Sequence, residues 1–168
     1  MKIESPSFTE TDLDLYRDQL VDHERMNLVG RLERASQRLA ELGPRVAEGT
    51  GEQQDWSPNE VLAHIAVLSK FYGMLTYKIG SGQMTEHVNL RDVLGEQLAK
   101  EAPRTLVEMA LADHRRSLDY LRGADAAAMR REVVVDGGRV TMRAADVARE
   151  ALIGHLELHV DQLEKALG

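Results

Sequence analysis

An apolar row repeating at intervals of three and four from about Thr11 to Leu42 narrows the possible folds more than any other feature. Leu13, Tyr16, Leu20, Leu28, Leu32, Ala35, Leu39 and Leu42 fall on one side of a single long helix. A helix with one apolar side must bury that side against other elements. Gly43-Pro44 ends the run, because glycine fits just past a helix end and proline cannot continue it. His23 and Asn27 extend the row through Tyr16 and Leu20. They read as a partly exposed polar pair, with a place inside the bundle as the alternative.

Around this helix the chain divides cleanly. Residues 1–8 read as an extended lead-in and residues 45–55 as a polar loop. Trp56-Ser57-Pro58-Asn59-Glu60-Val61 is a complete helix start. Ser57 is a good N-cap, Pro58 suits the first helical position, Glu60 can close a capping box, and Trp56 can staple onto Val61. The second helix is expected to run to about Tyr77, with Val61, His64, Ile65, Leu68, Phe71, Tyr72 and Leu75 facing inward.

Ile79-Gly80-Ser81-Gly82 breaks it, and residues 83–88 read as a loop with His87 exposed to solvent. A short helix from about Leu90 to Lys100 is expected next. Pro103 then opens a third long helix that reaches Leu121 and closes at Gly123, with His114 on its apolar row. Asp136-Gly137-Gly138 between β-branched residues signals a hairpin within Glu132–Met142. A final helix is expected from about Arg143 to Leu167. No internal repeat and no low-complexity segment interrupts the pattern.

With 168 residues the chain suits one domain, 1–168, around a single core. A net charge of -7 gives no reason to expect nucleic acid or an anionic membrane as partner. No stretch approaches the ~20 apolar residues that cross a bilayer, and no apolar run follows Met1-Lys2, so no signal peptide and a cytoplasmic location are expected. Cysteine is absent, which excludes disulfides, thiolate metal sites and a cysteine nucleophile.

The chemistry therefore rests on histidine. His155 and His159 stand one turn apart on the row Ala148, Leu152, His155, Leu156, His159, Leu163. His64 lies on the inward row of the second helix. Three neutral imidazoles from two helices can converge on one divalent metal and leave a position for water or substrate. Imidazole suits zinc, nickel and iron alike. Gln162 can lie beside the site, as can Glu60 where its cap allows. His114 and His23 are candidate additional contacts, although a lone core histidine is more often simply hydrogen bonded. Glu157 falls roughly 200° around the helix from His155 and cannot act as the base of an H-E-x-x-H protease. No phosphate-binding glycine loop and no nucleophile elbow is present.

Together, Trp56-Ser57-Pro58 leading to His64 and the distant His155-x-x-x-His159-x-x-Gln162 resemble the DinB/YfiT-like superfamily over nearly the whole chain. The resemblance implies an all-α four-helix bundle with a three-histidine metal site at one end, and His64, His155 and His159 as ligands. It implies a metal-dependent enzyme, either an S-transferase using a low-molecular-weight thiol such as mycothiol or bacillithiol, or an amidohydrolase. A non-catalytic metal-binding or dimerising bundle is the further alternative. A small-molecule substrate or thiol cofactor, and a homodimer, are the partners it suggests. Arg139 and Arg143 are candidate contacts for the thiol's carrier.

Overall fold

The computed structural model describes residues 9–48, 56–84 and 98–168. Helix α1 spans Glu10–Leu42, α2 Pro58–Gly80, α3 Pro103–Gly123 and the short α4 Ala126–Arg130. Strands β1 (Glu132–Val135) and β2 (Val140–Arg143) form an antiparallel hairpin. A last helical run follows: α5 (Ala144–Asp146), a π-helical segment (Val147–Gly154) and α6 (His155–Leu167). The long helices make the four-helix bundle expected, with the hairpin before the last of them.

Local chemistry sets each boundary. Thr9 and Asp12 close a capping box at the start of α1, and Ser57 and Glu60 close another at α2, with Pro58 in the first turn. Helix α2 runs past Tyr77 to Gly80. The hairpin turns through Gly137 at φ 65° and Gly138 at φ 90°, which glycine adopts without Cβ strain. Val133 and Val135 are buried, so the hairpin leans its apolar face on the helices. Helix α4 was not foreseen. Its signal was Asp125, whose carboxylate accepts from Ala128 N–H at 2.7 Å ahead of an alanine run.

Helix α2 packs against α3 and the last helical run, and α1 packs against the same two. The consecutive α1 and α2 therefore lie across the bundle from each other. The core is apolar and continuous, with Leu28, Leu32, Leu39, Leu62, Ile65, Leu106, Leu121, Ile153 and Leu163 all fully buried.

Three expectations change on inspection. Leu13, Tyr16 and Leu20 belong to the predicted apolar row yet are 46%, 58% and 52% exposed. At about 1.5 Å per residue, α1 is roughly 50 Å long and outreaches α2 and α3, so burial begins only at Val21. The final helix is not uniformly α-helical, because Val147–Gly154 is a π-helix. Its buried residues pair at a spacing of five, Val147 with Leu152 and Ala148 with Ile153. Of the short helix expected at 90–100, residues 98–100 form a turn and the remainder, like His87, lies outside the described residues.

Ion pairs bind α1 to the other helices. Arg31 and Glu157 form a two-point pair at 3.0 and 2.6 Å, and Arg38 reaches Asp161 and Glu164. Glu24 pairs with Arg149, and Arg25 donates to the carbonyls of Leu121 and Arg122 at the end of α3. Each pair is partly exposed, worth up to about 1 kcal/mol, so the set fixes helix rotation more than it stabilises the fold. The guanidinium of Arg143 is paired with Asp146 at 2.7 Å at the start of the last helical run.

Gly80 at the end of α2 lies directly against Tyr120 of α3. A Cβ there would run into Tyr120 Oη, which is buried without a hydrogen-bond partner among the described residues. Gly80→Ala is expected to destabilise the protein by about 1–3 kcal/mol through overpacking. Removing the hydroxyl as well, in Gly80→Ala/Tyr120→Phe, should recover part of that loss in urea unfolding, the Tyr120 ring at 3.0 Å and the Ala128 carbonyl at 3.3 Å accounting for the remainder.

Candidate functional site

Two elements build the site. The capping box at α2 sets the helix phase that turns His64 inward. The π-helical segment delivers His155 to the first position of α6, with the His155 N–H reaching back five residues to the Glu150 carbonyl. Gly154 lies where the segment tightens, and a Cβ there would sit 3.1 Å from the Arg149 carbonyl oxygen, closer than an ordinary contact. His159 follows one turn later on the same side.

One ring nitrogen from each of His64, His155 and His159 lies within 4.8 Å of the others. The ring centroids are 5.4 Å apart for His64 and His155, and 4.7 Å for both pairs that include His159. His64 and His159 are buried and His155 is half-buried. His159 Nδ1 donates to Gln162 Oε1 at 3.0 Å, which leaves the Nε2 lone pair free. That Nε2 is buried and has no hydrogen-bond partner among the described residues. A buried ring nitrogen fixed as an acceptor, beside two other imidazoles and without a donor, fits a divalent cation.

Trp56 covers one side. Its ring meets His64 edge-on at 4.7 Å and stacks near His159 at 6.3 Å, while 46% of the residue stays exposed. The sequence reading assigned Trp56 only a stapling role, although its position directly before the cap placed it near His64. On another side, Ile65, Leu68, Ser69, Leu152 and Leu156 join His155 and His159 around a cavity of about 10 Å³, the size of one water.

The other candidates separate from this cluster. His23 is exposed on α1. Glu60 is engaged in its cap, accepting from Ser57 N–H at 2.7 Å. Glu157 pairs with Arg31 and does not serve the triad as a base. His114 is fully buried between two serines, with Nδ1 2.9 Å from Ser36 Oγ and Nε2 2.7 Å from Ser69 Oγ. It is the hydrogen-bonded core histidine that its lone position on an apolar row suggested.

Against known proteins, the likeness is one of fold. YfiT from Bacillus subtilis, described as a probable metal-dependent hydrolase with an unusual four-helix bundle topology, aligns over 99% of this chain and 94% of its own. The TM-score is 0.64 at 13% identity. No family model and no curated protein matches the chain. The architecture is thus that of a YfiT-like four-helix bundle, as the motifs suggested. No helix among the described residues is long and apolar enough to cross a membrane.

Burial lowers the His114 pKa from 6.5 to about 4. Between those values the unfolded chain binds a proton that the folded chain refuses, so stability falls as pH drops from 6.5 towards 4. The shift corresponds to about 3 kcal/mol over the whole window. Denaturant unfolding at a series of pH values should show this slope, and His114→Asn, though less stable at pH 7, should show a flatter one.

Proposed function

We propose that the protein is a metal-dependent hydrolase that holds one divalent ion through His64, His155 and His159. The observation that carries this reading is the bare, buried Nε2 of His159, on a ring that offers one nitrogen within 4.8 Å of a nitrogen on each of two further imidazoles. The likeness in fold to YfiT from Bacillus subtilis, itself described as a probable metal-dependent hydrolase, supports it. Three neutral donors leave the ion its full charge and at least one open position. Bound there, the ion supplies Lewis acidity for activating water at neutral pH.

The chain's own groups do the rest. Gln162 fixes the proton of His159 on Nδ1, so Nε2 is always presented as an acceptor. Trp56 shields the His64 and His159 rings from bulk water while its exposed edge offers an apolar wall to a small substrate. In the same reading the protein works in the cytoplasm as a homodimer, with the exposed Leu13, Tyr16 and Leu20 face of α1 as its interface.

Protein purified without an affinity tag should contain about one divalent ion per chain by elemental analysis, in keeping with a three-imidazole site. His155→Ala should lose it; stoichiometric retention would refute the ligand set. Gln162→Leu should weaken metal binding about 10–100-fold, read as a shift in the titration of Trp56 emission, since Trp56 is the only tryptophan. A turnover screen of metal-loaded protein with small amides, with and without added thiol, then separates the chemistries. Hydrolysis without thiol supports the proposal, and turnover only with a thiol assigns the site to S-transfer instead.

A further inference from the structure

The last helix carries two stripes of the same spacing. His155, His159 and Gln162 lie along one side, and Glu157, Asp161 and Glu164 follow each of them by two residues. Two residues are roughly 200° of helix, so the acids run down the side opposite the imidazoles. That acidic stripe is gripped by α1, which contributes none of the three imidazoles. Arg31 binds Glu157 through Nε and Nη2 at 3.0 and 2.6 Å. Arg38, two turns on, reaches Asp161 at 2.8 Å and Glu164 at 2.6 Å. The Arg31 pair is the better shielded, with side chains 26% and 34% exposed, and its fork meets the carboxylate edge to edge. Arg31 also lies over the ligand-bearing turn itself. A Cβ on Gly154, the residue before His155, would meet Arg31 Nη2 at 4.0 Å.

We propose that Arg31 is a positioning residue for the metal site, acting through Glu157 on the turn that carries His155 and His159. Helix rotation is the motion that matters. At about 5 Å from the axis, a turn of roughly 10° displaces a side chain by about 1 Å, whereas a metal–nitrogen distance tolerates only about 0.2 Å. His64 belongs to α2 and does not follow such a turn. A fork that fixes both the distance and the angle of its partner resists rotation better than a single charge contact. The pair and the ion favour the same setting of α6, so each strengthens the other. The ion binds more tightly when the pair is intact, and the pair holds more firmly when the ion is bound. This inference rests on the proposed ligand set, and it adds a dependence on a helix that supplies none of the imidazoles.

The test titrates full-length protein with cobalt(II) and follows the visible spectrum of the bound ion in wild type, Arg31→Met, Glu157→Gln and the double variant. Each single change should weaken cobalt binding about fivefold, the scale of losing one partly exposed ion pair. The sign is informative for Arg31→Met. Removing a nearby positive charge would by itself tighten the binding of a cation, so weaker binding marks lost positioning. The double variant should bind no more weakly than the weaker single one, because the second change has no pair left to break. Urea unfolding of the metal-free proteins separates positioning from support. A merely structural pair would lower metal-free stability and leave the cobalt affinity of Arg31→Met unchanged or tighter, which overturns the inference while sparing the ligand set. Additive losses of affinity in the double variant overturn it too. No cobalt uptake by wild type overturns both. Should Arg31→Met fail to fold, Arg31→Lys decides: it keeps the charge and loses the fork, so weakened cobalt binding supports the inference and wild-type affinity refutes it.

Discussion

A nitrogen or oxygen buried without a partner costs free energy on the order of 1–3 kcal/mol, and this constraint organises the interior of the bundle. The four histidines on inward faces meet it differently. His114 meets it with two serines, one from α1 and one from α2. His159 meets it at one nitrogen through Gln162 and leaves the other without a hydrogen-bond partner among the described residues, on a ring beside His64 and His155. Where both ring nitrogens are bonded by neighbours, the histidine belongs to the fold. Where one is kept bare beside other imidazoles, as in His159, the burial cost is left unmet by the described residues.

The helix starts, the hairpin and the histidine pair were legible because each depends on neighbours in sequence. Ser57, Pro58 and Glu60 specify a helix beginning by local hydrogen bonds, and Asp136-Gly137-Gly138 specifies a turn by backbone conformation. The convergence of His64 with His155 and His159 was legible as well, since each sat on an apolar row of a well-bounded helix. What escaped depended on distant packing. Nothing local in Val147–Gly154 announces a π-helix; buried pairs five apart emerge only when the segment lies between α1 and α2. The exposure of Leu13, Tyr16 and Leu20 follows from the length of α1 relative to its partners, a quantity no single helix encodes. The partnership of Ser36, His114 and Ser69 needed three helices in register.

The site also shows how rotation about a helix axis is controlled. Glu157 stands between His155 and His159 in sequence, and its two-point bond to Arg31 pulls that side of α6 onto α1. Arg38 does the same one and two turns later through Asp161 and Glu164. Individually such pairs contribute little. Collectively they resist the turning of α6 that would swing the imidazoles away from α2, so surface charge serves the geometry of a buried cluster.

The diagonal placement of α1 and α2 carries a kinetic meaning. Neither of these helices can bury its inner face against the other; each waits for α3 and for the C-terminal run to fill the spaces between them. During synthesis the first half of the chain would leave the ribosome as amphipathic helices without their mates, the sort of intermediate that chaperones hold. The imidazole cluster closes only when α6 docks, so the three rings come together no earlier than the fold is complete.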